Sequence, residues 1–90
     1  MIKDYFTVDA ETWNYNDAKL YIEFTDSIPT RQVTQVGERW ATSRHDNDPD
    51  IGPLLTDQPL QPGEFDESDR ISADSFEQLW TRAVAFEDRT

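Results

Sequence analysis

Along the first quarter of the chain, polar and apolar residues alternate. Phe6, Val8 and Ala10 fall on one side of an extended segment, and Leu20, Ile22 and Phe24 alternate with Tyr21 and Glu23. A period of two marks a half-buried strand, which predicts strands over about 4–10 and 19–25. Between them Asn14, Asn16 and Asp17 form a polar cluster beside Trp13 and Tyr15. Such a cluster suits a hairpin connection, so the two strands are expected to be antiparallel neighbours. Asp26, Ser27 and Pro29 then interrupt the pattern. Two more β segments are predicted over 31–36 and 38–43, joined by a tight turn at Gly37 and anchored by Val33, Val36 and Trp40.

The pattern changes at His45. From there to Asp69 the chain carries Pro49, Pro53, Pro59 and Pro62, two glycines and eight acids. That composition rejects both a helix interior and a central strand, so 45–70 reads as a long acidic loop. Ile51, Leu54, Leu55, Leu60 and Phe65 are spaced irregularly within it and are expected to tack it onto the domain. The final element is a helix over 73–86. Ser72 is placed to cap it, Asp74 suits its positive end, and Phe76, Leu79, Trp80, Ala83 and Val84 recur at helical spacing. Together these elements predict an α+β domain, an antiparallel sheet of three to four strands packed on one C-terminal helix. The other sheet face is then left exposed, which would allow a homodimer through Val33, Trp40 or Tyr21.

Ninety residues suit one core and one domain. The chain has no cysteine, which excludes disulfides and thiolate chemistry and favours a reducing compartment. No stretch approaches the roughly 18 apolar residues that span a bilayer, and the first residues carry no apolar run of signal-peptide length. A cytoplasmic protein is expected. The 19 acids outweigh eight bases to give a net charge of −11, which opposes direct binding to nucleic acid or to a membrane surface. The imbalance is concentrated: residues 1–45 hold seven acids and five bases, whereas residues 46–90 hold twelve and three.

Three features carry candidate chemistry. In His45-Asp46-Asn47-Asp48-Pro49-Asp50-Ile51-Gly52 the carboxylates Asp46, Asp48 and Asp50 alternate as calcium ligands do in a turn. The match to a calcium loop is broken where Ile51 separates the third acid from Gly52, and by Pro49 within the turn. A solvated acidic turn is the simpler expectation, and no metal or other cofactor is assigned. His45 is the single histidine, with Ser43 and Asp46 nearby in sequence, but neighbours at a strand end point different ways. No glycine-rich phosphate loop or nucleophile elbow is present, so no catalytic residue is assigned and a non-enzymatic protein is expected. The third feature is the acidic run Glu64, Asp66, Glu67 and Asp69. With Trp13 and Tyr15, aromatics set among polar residues, it supplies the candidate partner-binding residues.

Three segments resemble a small family of uncharacterised bacterial domains of about this length. They are Thr30-Arg31-Gln32-Val33, then Gly52-Pro53-Leu54-Leu55 with Pro59-Leu60, and finally Ile71-Ser72-Ala73-Asp74-Ser75-Phe76-Glu77-Gln78-Leu79-Trp80-Thr81-Arg82-Ala83. In that family a T-R-x-V strand, a proline-bearing acidic loop and an I-S-x-x-E-F-E-x-L-W-x-x-A helix follow in this order, and the similarity spans roughly residues 20–83. Ser75 departs from the acid that precedes the Phe there, and residues 12–17 have no counterpart. The resemblance implies the same α+β fold and, for small acidic domains of this kind, an accessory or immunity-like role.

The charge distribution points to a module that docks on a partner protein, basic or nucleic-acid-binding. A second reading is an inhibitor that imitates nucleic acid, an antitoxin or immunity-like protein whose acids fill a basic groove. A third, with less behind it, is a small metal-binding protein or enzyme centred on His45 and Asp46 to Asp50.

Overall fold

The computed structural model describes residues 1–12, 15 and 17–89. Four strands, β1 (Lys3–Ala10), β2 (Ala18–Thr25), β3 (Ile28–Val36) and β4 (Arg39–Thr42), form an antiparallel meander in chain order. A two-residue ladder, β5 (Asn47–Asp48) with β6 (Gly52–Pro53), and a 3-10 turn at Glu67–Asp69 lie within the following loop. The chain ends in α1 (Ala73–Asp88). The fold is thus α+β, a four-stranded antiparallel sheet with one C-terminal helix.

Helix α1 starts where the sequence placed it. The Ser72 hydroxyl accepts the Ser75 N–H, closing a donor that the first turn leaves orphaned. Phe76 and Ala83 are fully buried on the sheet-facing stripe. Phe76 lies 5.1 Å from the Tyr5 ring, Arg82 lies over Trp40, and Glu87 bonds Thr42. The helix therefore crosses the sheet from the start of β1 to the end of β4. It leaves the row Asp9, Lys19 and Gln35 beyond its cover.

The apolar sides of β1 and β2 do not face this helix. Phe6, Ile22 and Phe24 form a cluster on the opposite side, covered by Leu60 and Phe65 of the loop. Ala18, Val36 and Ala41 on that side are covered by Ile51 and Leu54. The loop is the second layer of the molecule, so the expectation of an exposed sheet face is corrected. Leu55, one of the five expected anchors, is exposed. A homodimer contact through Val33 is excluded because that residue is 0% exposed beneath α1, and Trp40 and Tyr21 pack partly into the same cluster.

Strand β3 begins at Ile28, three residues before the predicted start. Asp26 and Ser27 alone make the turn, with φ of 51° and 70°, the left-handed pair of a two-residue hairpin. Pro29 is tolerated inside the strand because β4 pairs only with Val33 to Val36. At Pro29 the strand has one neighbour, and the missing N–H coincides with a register shift at Glu23/Phe24.

Candidate acidic docking surface

The described cations are largely consumed within the fold. Arg31 reaches Glu23 and Glu77 at 2.7 Å each, and its guanidinium lies 5.0 Å from the Phe76 and Trp80 ring centres. Arg39 holds Asp48 and Asp50, Arg44 holds Glu87 and Asp88, and Arg70 holds Asp4 and Glu67. Lys3 and Lys19 pair with Glu23 and Asp9. The acids left over define the surface field. They include Asp66, Asp69 and Asp74, which gather with Glu64 before and at the start of α1.

This acidic segment is built onto the sheet. Phe65 stacks on Phe6 with ring centres 4.8 Å apart and planes 16° from parallel, and it also packs against Phe24 at 6.1 Å. On its far side Arg70 lies 4.7 Å over the Phe6 ring. The Ile71 N–H bonds the Tyr5 carbonyl at 2.9 Å. Asp69 N–H bonds the Asp66 carbonyl, and the Gln61 N–H donates to the Glu64 carboxylate. Arg70 lies between Asp4 and Glu67, and its hydrogen bond holds the Glu67 carboxyl below the usual carboxylate range. Of the four acids in the run, Glu67 is thus internally neutralised, whereas Asp66 and Asp69 have no cation bound to them among the described residues.

The turn from Asp46 to Asp50 has a different use. The Asp48 Oδ1 accepts the N–H groups of Asp50 and Ile51, and its Oδ2 meets Arg39 at 2.6 Å. Burial works against the Asp48 charge, but these bonds outweigh it and its pKa falls. Asp50 is drawn to the same arginine. Asp46, Asp48 and Asp50 therefore do not converge, and among the described residues no group of three or more His, Asp or Glu is placed to hold a metal ion. Two of the three weak metal candidates, Asp48 and Asp50, are bound by Arg39.

His45 borders a cleft of about 520 Å³ with Arg39, Trp40, Asp48, Phe86 and Glu87. Its Nε2 stands 3.8 Å from Glu87, beyond hydrogen-bond reach. That carboxylate already accepts from the Thr42 N–H, the Thr42 hydroxyl and Arg44. The Ser43 hydroxyl is engaged with the Gln32 N–H. The residues around His45 are arranged to tie the end of β4 to the end of α1.

Of the aromatic candidates, Tyr15 packs partly against the Ala18–Val36–Ala41 cluster, so much of its ring belongs to the protein's own core. Trp13 lies outside the described residues. Sequence reasoning missed the Glu23–Arg31–Glu77 network. The available signal was a Glu in β2 and an Arg in β3 that the strand alternation places on the same side of the sheet, opposite the apolar row of Leu20, Ile22 and Phe24. Among the described residues no helix is long and apolar enough to cross a membrane. In comparison with known proteins, the chain matches no family model, no curated protein and no solved structure.

Proposed function

We propose that this chain is a non-enzymatic docking module that engages a basic partner protein through the acidic segment from Glu64 to Asp74. One observation carries the reading. The exposed carboxylates of that segment are held at fixed positions by Phe65 and Arg70 against Phe6, while most cations elsewhere are spent in ion pairs. Charges fixed on a scaffold steer a partner and set its orientation, whereas the same charges on a loose tail only raise the local field. The fixed spacing also lends some weight to nucleic-acid imitation, which needs acids at set separations. The setting proposed is the cytoplasm, which a cysteine-free chain suits.

The test is a binding series on partner captured from the source lysate at low salt. Affinity is expected to fall steeply with added salt. Asp66→Asn with Asp69→Asn slows association more than it speeds dissociation. Phe65→Ser, which keeps every charge but frees the segment, weakens binding as well. A complex that is indifferent to salt and to these substitutions, and is lost on changing Trp80, overturns the reading. Competition by DNA or RNA for the captured partner assigns the imitation role in preference to simple docking.

A further inference from the structure

The outer edge of β1 is covered along only half its length. Tyr5 directs its carbonyl away from β2, to the Ile71 N–H. The β1–β2 register runs without interruption from Lys3 to Ala10. Backbone groups of an antiparallel strand alternate sides residue by residue, so those of Thr7 and Asp9 face outward too. The bridge between Phe6 and Arg70 protects this edge only at its lower end. Before Arg70 the chain turns away into the 3-10 turn at Glu67–Asp69. Among the described residues, no backbone bond from outside the sheet reaches the Thr7 carbonyl, the Asp9 N–H or the Asp9 carbonyl.

The opposite edge is treated differently. Strand β4 is four residues long, and the Glu87 carboxylate takes the Thr42 N–H at 2.8 Å and the Thr42 hydroxyl at 2.6 Å. Protecting an edge in this way is usual, since unpaired N–H and C=O groups are a template for another strand. On β1 the upper half has no proline and no bulge and, among the described residues, no capping side chain. Its charge is acidic: Asp9 and Glu11 are exposed at the strand end, Asp17 lies across the hairpin, and Asp69 sits where the covering segment leaves. Lys19, 3.8 Å from Asp9, is the cation paired with them among the described residues. The side-chain row Asp9–Lys19–Gln35, which α1 leaves open, provides a shelf next to the edge.

We propose that β1 from Thr7 to Ala10 is a strand-addition site, taking an extended segment rich in lysine or arginine from a partner protein as a fifth strand in line with Arg70 and Ile71. The backbone supplies the bonding and the acids select the charge of the incoming strand. A second copy of this chain is the poorer occupant, because two-fold pairing of the edge is antiparallel and sets Asp9 opposite Asp9 or, in the next register, opposite Glu11. For the partner's charge the inference rests on the docking reading above; it adds the conformation of the segment and the place where it lies.

The experiment uses the full 90-residue chain and two synthetic peptides alternating lysine with threonine, one unmodified and one N-methylated at alternate backbone nitrogens. The two have equal charge, but the second lacks the donors for one edge. Binding is followed by amide NMR with hydrogen exchange. The unmodified peptide is expected to shift Thr7 to Ala10 and to slow exchange of the Asp9 N–H, while the N-methylated peptide binds about tenfold more weakly. Asp9→Pro removes an N–H that bonds nothing within the sheet, at an edge position where proline is tolerated. It is expected to reproduce that loss while the amides of β2 to β4 keep their positions. Asp9→Lys keeps the N–H and reverses the charge, and it weakens the unmodified peptide also. Equal binding of both peptides, with shifts confined to 64–74, overturns the edge site and leaves the docking reading standing. Failure of both peptides to bind at low salt overturns both readings. A dimer in sedimentation that Asp9→Pro dissociates assigns the edge to a second copy and overturns the proposal.

Discussion

Glu23 and Arg31, neighbours across β2 and β3, meet through hydrogen bonds of 3.0 and 2.7 Å beneath the first turns of α1, with the Glu23 carboxylate 2% exposed. Glu77 of the helix closes on the same guanidinium from the other side. Thr30 donates to Glu23 at 2.8 Å, so the buried oxygens are well supplied with donors. The pair fixes the helix over this part of the sheet by charge and geometry, where a purely apolar contact would let it slide.

Breaking such a pair from one side is more damaging than removing it whole, because the survivor is left charged and dry. Arg31→Met is expected to destabilise the fold by about 3–5 kcal/mol. The double variant Glu23→Leu with Arg31→Met should recover a large part of that loss. Urea unfolding of the two single variants and the double closes the cycle. A purely additive result would show that the pair is not coupled.

The same carboxylate gives a pH dependence. The Arg31 hydrogen bond is the main cause that lowers the Glu23 pKa from 4.5 to about 2, against the opposing effect of burial. A folded-state pKa below the unfolded one gives stability that is complete above about pH 4.5 and is lost as the pH falls toward 2. The full shift corresponds to about 3 kcal/mol. Protonating the exposed acids relieves their mutual repulsion and works in the other direction, so the informative comparison is with Glu23→Gln. Thermal unfolding between pH 5 and 2 is expected to show a steeper decline for the wild type than for that variant. Parallel curves would place the titration elsewhere.

The β2–β3 turn holds two non-glycine residues in the left-handed region, where a side chain costs about 1 kcal/mol. Ser27→Gly is expected to stabilise the protein by up to about 1 kcal/mol, reduced by the greater freedom of glycine in the unfolded chain. Asp26→Gly should gain less, because the Asp26 Oδ1 accepts the Ile2 N–H at 2.8 Å. Calorimetric Tm values for both rank them directly. Equal gains would mean that the Asp26 bond contributes nothing.

The strands and helix were legible because their apolar positions repeat at fixed periods, and Ser72 announced the helix start. The sides of the sheet were not. Phe6, Leu20, Ile22 and Phe24 form the more apolar side, and a reader of periodicity assigns such a side to the amphipathic helix. The loop takes it instead, through Ile51, Leu54, Leu60 and Phe65, whose irregular spacing marks them as anchors without saying what they anchor to. The helix could take the side bearing Glu23 because Arg31, itself packed against both Phe76 and Trp80, neutralises it there. That partnership is tertiary and leaves no periodic trace. The acidic turn at Asp46–Asp50 hid its partner for a similar reason. It read as a solvated turn, whereas Asp48 and Asp50 are bound by Arg39, which lies in another element.

Glu87 occupies the Thr42 N–H at one end of the sheet, while the other end keeps backbone groups unspent among the described residues. A sheet that can grow at both ends is a monomer for fibres, since each copy added offers a new surface to the next. With β4 four residues long and its Thr42 N–H taken by the helix that follows it, the two ends of the sheet are unequal, and the β4 end is the poorer template for a further strand. An assembly nucleated on β1 therefore does not find the same surface again at the far end of the sheet, which works against its spreading from copy to copy.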